Sequence, residues 1–206
     1  MANQLHLEIL RSGVAEWNRW RRSSAKVIPD LERADLRRVD LTRADLKRAN
    51  LRSSNLWYAN LTAARLQQAD LRQAVLNEAD LTRAVLSKAR LNGAKLFSAK
   101  LSHADLSDAV LNHAVLYGVT LNNVNLGSAQ LYRANLSSSF LPNTVLAHAN
   151  LRRVNLSDSR IVLADLSGAD LTGANLIRTS MIECNLEDAV VDECAVYGIS
   201  AWNLRI

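Results

Sequence analysis

The chain has 206 residues, 49% hydrophobic and 22% charged, with a formal net charge of +5. That is enough apolar material for one continuous core, and no run of 18 apolar residues suggests a membrane-spanning helix. Two cysteines, and a start without a basic-then-apolar leader, give the expectation of a reducing cytoplasm.

Residues 1–29 form a first unit. Over 4–23, Leu7, Leu10, Val14 and Trp17 follow a 3,4,3 spacing, while Arg11, Glu16, Arg19 and Arg22 fall on the other side. This predicts one amphipathic helix, with Trp20 extending its apolar stripe. Pro29 follows as a rigid join that cannot continue a helix.

From 30 to 206 a different rule takes over. In steps of five from Leu31 to Val196 there are 34 positions, of which 30 are Leu and the others Ile161, Met181, Val191 and Val196. Two residues before each Leu stands a small side chain. From Ala34 to Cys194 there are 33 such positions, 22 of them Ala and none larger than Val. Between the two, 17 of 33 positions are Asp or Asn. A helix would smear residues five apart around its surface, at about 140° to each other. A flat strand would send alternate leucines to opposite faces. One large and one small inward residue per five fits a thin solenoid, with Leu filling the axis and Ala letting the backbone close around it.

Runs such as Ala-Asp-Leu-Arg-Arg at 34–38, Ala-Asp-Leu-Lys-Arg at 44–48 and Ala-Asp-Leu-Thr-Gly at 169–173 resemble the A(D/N)LXX motif of pentapeptide-repeat proteins. The resemblance covers roughly residues 31–200 and extends to bacterial, several of them cyanobacterial, members. It implies an all-β solenoid, a right-handed quadrilateral β-helix with four pentapeptides per coil. The chain would then make about eight coils and a tube on the order of 40 Å long, at about 4.8 Å between stacked strands. An open end of such a tube exposes backbone groups and bare leucine. The helix carrying Leu7, Leu10, Val14, Trp17 and Trp20 is therefore expected to be its N-terminal cap. The segment 196–204 resembles the end of the repeat region in relatives where a further domain can follow.

On a four-sided coil, residues 20 apart stack on one face. Trp57, Phe97 and Tyr117 then share an outward column, with Tyr58, Val75, Lys95 and Val115 beside it. Aromatic residues flanked by lysine make this a candidate protein-binding face. Val162, Ile182 and Trp202 form a second column, with Leu163 beside it and Phe140 nearby, a candidate association surface at the C-terminal end. Residues 1–100 carry 19 Lys/Arg against 10 Asp/Glu, a net of +9. Residues 101–206 carry 6 against 10, a net of −4. A positive and a negative end suggest head-to-tail stacking of rods or contact with an oriented partner, and the exposed C-terminal end suggests a homodimer.

Little in the chain carries catalytic chemistry. His6, His103, His113 and His148 read as solvated surface residues, and no metal cluster is expected. Cys184 and Cys194 occupy the inward small position two faces apart and read as buried free thiols. The aspartates before Leu are repeat elements on a rod without a cleft. No catalytic residue and no cofactor is expected. These features favour a non-catalytic protein-interaction scaffold that self-associates through its C-terminal end. The alternative is the N-terminal recognition module of a larger signalling or defence enzyme. The resemblance also raises a DNA-mimic role on DNA gyrase, which needs an acidic rod; a sequence pI of about 9.6 weighs against it. Nucleic acid is not an expected partner, because Arg37, Arg38, Arg43, Lys47, Arg48 and Arg52 interleave with Asp30, Glu32, Asp35, Asp40 and Asp45.

Overall fold

The computed structural model describes residues 2–206. From Asp30 onward the backbone pairs in parallel with itself 20 residues later: Asp30 with Asn50, Asp35 with Asn55, Asp40 with Asn60, Asp45 with Arg65, and so on to Asn185 with Arg205. Four pentapeptides therefore complete one coil, and the tube has four faces. On the third face the pairing widens into a parallel sheet of β1 (Phe140–Pro142), β2 (Arg160–Val162), β3 (Ser180–Ile182) and β4 (Ser200–Trp202). Its register runs Phe140, Arg160, Ser180, Ser200.

Each pentapeptide builds a corner by the same local bonds. The small residue's N–H donates to the carbonyl of the Leu three residues back, as from Ala34 to Leu31 at 3.1 Å. The Leu N–H then donates forward to the next coil, as from Leu31 to the Asn50 carbonyl at 2.8 Å, and Asn50 donates back to Pro29 at 2.8 Å. The second residue after Leu turns the chain in the left-handed region. Arg33, Arg38, Gln68 and His103 lie at φ 57°, 58°, 59° and 61°. That conformation costs about 1–2 kcal/mol for a residue with a Cβ. The inter-coil bonds and the buried leucine offset it at every corner.

The core is a column of leucines walled by alanines, all buried from Leu31 through Leu176. Ser54 Oγ donates within its own corner, to the Leu51 carbonyl at 2.7 Å, but the later polar residues at the small position bond across coils. Thr144 Oγ1, Ser159 Oγ and Thr179 Oγ1 each donate at 2.8 Å to the carbonyl of Leu121, Leu136 and Leu156 respectively, 23 residues earlier. Burial without a partner would cost these hydroxyls; here each is satisfied.

The N-terminal segment is not one helix over 4–23. It is two, α1 (Gln4–Arg11) and α2 (Val14–Ser23), broken at Gly13, whose φ of 116° an L side chain rarely adopts. Asn3 caps α1, its side-chain oxygen accepting from the His6 N–H at 3.2 Å. The break folds the pair so that Leu7, Leu10 and Trp17 are all buried in the same core as the coil leucines, with Val14 and Trp20 packed partly buried against it.

The pair also bonds to the rim of the first coil. The Asn3 N–H donates to the Asp30 carbonyl at 3.0 Å, and His6 Nδ1 accepts from the Asp30 N–H at 3.0 Å. Trp17 Nε1 donates to the Asp45 carbonyl at 2.9 Å, and Asn18 Oδ1 accepts from the Asp45 N–H at 2.8 Å. His6 is thus buried and bonded, against the expectation of a solvated side chain. Arg21 is buried too, donating to the carbonyls of Val27 at 2.8 Å and Lys47 at 3.2 Å. Burial pushes its pKa down, and Asp45 acts the other way.

Candidate functional site

The outward aromatic residues gather on the face that begins at Asp35. Trp57, Phe97 and Tyr117 are each 42% exposed, and Tyr58 is 45% exposed. They form two stacked pairs rather than one continuous ladder. Trp57 lies on Tyr58 with ring centroids 5.5 Å apart and planes 12° from parallel. Phe97 lies on Tyr117 at 5.7 Å and 5°. Asn77 stands between the pairs in the column, its Oδ1 accepting the Phe97 N–H at 3.1 Å. Lys95 is exposed beside them, bridging in register to Val75 and Val115. Pairing joins each two rings into one patch and fixes their orientation, which lowers the entropy lost on binding.

Charges frame the first pair. The Arg38 guanidinium stands 5.6 Å from the Tyr58 ring centroid. The Glu78 carboxylate, through a hydrogen bond, holds the Tyr58 hydroxyl above the usual phenol pKa. Arg37 grips Asp35 through Nε at 2.8 Å and Nη2 at 2.6 Å and holds that carboxyl down to about 2. Arg11, from the end of α1, closes the upper side. The result is a groove of about 600 Å³ lined by Arg11, Asp35, Arg37, Arg38, Val39, Trp57 and Tyr58. Arg11 belongs to the helix pair and the other residues to the first two rungs of the coil. Residues so far apart in sequence gave no signal that they would meet.

The C-terminal column is also assembled. Val162, Ile182 and Trp202 stack in strand register, Val162 and Ile182 half-buried and Trp202 75% exposed, with Leu163 exposed alongside and Phe140 on the same sheet. Next to it the bore of the tube opens. An apolar cavity of about 530 Å³ lies among Leu176, Met181, Leu186, Val191, Val196 and Ile206. Glu183, Glu187, Asp188, Asp192 and Glu193 cluster at this end, and Arg205 binds Glu187 at 2.7 Å.

No group of three or more potential metal ligands forms among the described residues. No helix among them is long and apolar enough to cross a membrane. Cys184 is buried but Cys194, near the open end, is only half-buried, so the two thiols are not equally enclosed as the spacing suggested. Both are free, and burial pushes both thiols up, away from the reactive thiolate.

The family model for pentapeptide repeats matches the chain in eight copies across residues 30–68, 59–96, 91–128, 129–168 and 159–194. The chain belongs to the pentapeptide-repeat family. Members adopt a right-handed quadrilateral β-helix, in agreement with the 20-residue parallel pairing described above. Among solved structures, the pentapeptide-repeat protein HetL of the cyanobacterium Nostoc sp. strain PCC 7120, involved in heterocyst differentiation regulation, is 28% identical. The match covers 91% of this chain and 94% of HetL with a TM-score of 0.69. A pentapeptide-repeat protein of the Arabidopsis thaliana thylakoid lumen is also 28% identical, over 45% of this chain and 65% of its own, with a TM-score of 0.44. QnrB1, a plasmid-mediated fluoroquinolone resistance protein, is 17% identical over 79% and 89%, with a TM-score of 0.35. No curated protein matches the chain.

Proposed function

We propose that this pentapeptide-repeat protein is a non-catalytic interaction scaffold that binds a protein partner through the face carrying Trp57, Tyr58, Lys95, Phe97 and Tyr117. The helix pair of residues 1–29 is its N-terminal cap, and about eight coils from residue 30 to 206 form the rod. The observation that carries the reading is the two stacked, half-exposed aromatic pairs on one rigid face. Aromatic anchors with flanking cations are the composition of binding hot spots. Likeness to HetL, a regulatory protein of the same repeat type, supports the reading.

Self-association through the C-terminal end completes the proposal. The Val162, Ile182 and Trp202 column and the adjoining apolar opening form a patch that a monomer would leave in water. Coaxial head-to-tail stacking is disfavoured, because α1 and α2 stand over the axis of the first coil. Contact between two C-terminal ends is the arrangement that fits, and it brings like charges together, so salt should strengthen it. The same apolar end also favours the second reading, a recognition module to which a further domain docks. A gyrase-directed DNA mimic is disfavoured by the basic first half, net +9 over residues 1–100 from 19 Lys/Arg and 10 Asp/Glu.

The test is a variant with Trp57→Ala, Phe97→Ala and Tyr117→Ala together. It should keep the wild-type circular dichroism spectrum, since none of the three is a core residue. A partner retained by immobilised wild-type protein, and identified by mass spectrometry, should be lost. An unchanged set of retained proteins would remove the basis of the reading.

A further inference from the structure

The helix pair covers only half of the rim it stands on. In an interior rung of the Trp57 face, the Asn55 N–H donates to the Ala34 carbonyl at 2.9 Å. The carbonyls of Asn55 and Trp57 accept from Leu36 at 2.8 Å and Arg38 at 2.9 Å. The equivalent groups one rung earlier are the Asp35 N–H, the Asp35 carbonyl and the Arg37 carbonyl. Asn3, His6, Trp17 and Asn18 satisfy the matching N–H and carbonyl at Asp30 and Asp45. At Asp35 and Arg37 no partner exists among the described residues, and the same holds for the Asp40 N–H and carbonyl. At the Asp45 face Arg21 also bonds the Lys47 carbonyl, and at the Asp30 face only the Glu32 carbonyl stays without a partner among the described residues, whereas the other two faces remain open strand edges.

We infer that the open edge at Asp35 is a docking site for an extended acidic peptide segment of a partner protein. It rests on the preceding reading only through Trp57 and Tyr58, which line the groove. The edge offers one donor and two acceptors in strand geometry, the requirement for adding a strand. The groove around it carries Arg11, Arg37 and Arg38 against the single acid Asp35, a net of +2 from three minus one. Arg37 is occupied by Asp35, whereas Arg11 and Arg38 form no ion pair among the described residues. Two guanidinium groups flanking an unpaired edge select carboxylates on the incoming strand. The same cations oppose edge-to-edge pairing of two copies of this chain, because each would bring Arg11 and Arg38 against its own counterparts.

The probe is a fluorescein-labelled ten-residue peptide of alternating Thr and Glu, titrated with the full chain and read by fluorescence anisotropy. Because main-chain pairing supplies most of the affinity at a strand edge, strand propensity and carboxylates suffice, and a Kd of roughly 1 mM or tighter is expected. A Thr-Lys peptide, a Thr-Glu peptide with every backbone nitrogen methylated, and the Arg11→Glu, Arg38→Glu variant should each bind at least about tenfold more weakly. The inference is overturned if the Lys peptide or the methylated peptide binds as well as the parent, or if no binding is seen at 1 mM, the order expected above. It is also overturned if ultracentrifugation finds a dimer that the Arg11→Glu, Arg38→Glu variant dissociates, since a second copy would then hold the edge. Phe97→Ala with Tyr117→Ala should leave peptide binding intact. Loss of the aromatic-face partner and loss of the peptide therefore report separately.

Discussion

Where Asp or Asn precedes the leucine, its side-chain oxygen accepts the backbone N–H two residues further on. Asp40 bonds the Thr42 N–H at 3.0 Å, Asn60 that of Thr62 at 3.1 Å, Asp80 that of Thr82 at 2.9 Å and Asp165 that of Ser167 at 3.0 Å. This Asx turn is the reason Asp and Asn fill the position, and it leaves no free acid–base pair. Hydrogen bonds favour the charged form. In Asp40, Asp158 and Asp170 the bonds from Thr42, Arg178 and Thr172 lower the pKa. In Asp70, Asp80 and Asp165 burial raises it, but bonds from Arg72, Thr82 and Ser167 outweigh burial. Folded-state values below unfolded ones mean stability that is present above the unfolded pKa and lost as pH falls through the folded one. The contribution of these carboxylates to thermal stability should therefore be nearly flat from about pH 7 to 5, and the melting temperature should fall steadily below about pH 4. A rise in melting temperature on acidification to pH 3 would contradict this assignment. The Asp/Asn preference was legible in the sequence. The left-handed corner was less so, because arginine fills it eight times against five for glycine. Its signal was register: Gly93, Gly118, Gly168, Gly173 and Gly198 all stand two residues after the repeat's apolar position, with Asn123, Asn143 and Asn203.

One buried indole is the apolar centre of the joint between the helix pair and the coil, beside the polar bonds of Asn3, His6, Asn18 and Arg21. Trp17 fills the axis above the first coil and donates to the Asp45 carbonyl. Trp17→Ala should cost roughly 3–5 kcal/mol in urea unfolding, from lost burial and the cavity left behind. Amide exchange should quicken first at Asp30 and Asp45. Equal destabilisation with unchanged exchange at those two amides would show that the helices do not hold the rim. The apolar stripe of Leu7, Leu10 and Trp17 was readable by spacing. The break was readable only as the weak signal of Ser12-Gly13. Arg21 and His6 were not readable, because their burial depends on the Val27 carbonyl beyond the helix and on a carbonyl and an amide of a coil more than 20 residues away.

For the molecule as a whole, leucine every five residues sets the coil, and identity every 20 residues sets the faces. The first period was plain in the sequence. The second followed once four faces were assumed, and it aligned Trp57, Phe97 and Tyr117 correctly. What it could not give was the pairing of rings, which depends on side-chain torsions, or the groove under Arg11. The C-terminal end follows the same logic. Sedimentation should show a wild-type dimer strengthened by salt, and Leu163→Ser with Trp202→Ser should return it to monomer. A wild-type monomer at high concentration and high salt would instead favour a following domain as the occupant of that end.

Inserting one extra pentapeptide, a copy of Ala84–Lys88 placed after Lys88, separates the two periods. The leucine register is kept, so the coil should fold with an unchanged circular dichroism spectrum. Everything beyond the insertion turns by one face, which leaves Trp57 and Tyr58 on one wall and Phe97 and Tyr117 on the next. The partner held by the aromatic face should then be lost from a folded rod. A folded insertion variant that still binds it at wild-type strength would contradict recognition by a single aligned wall.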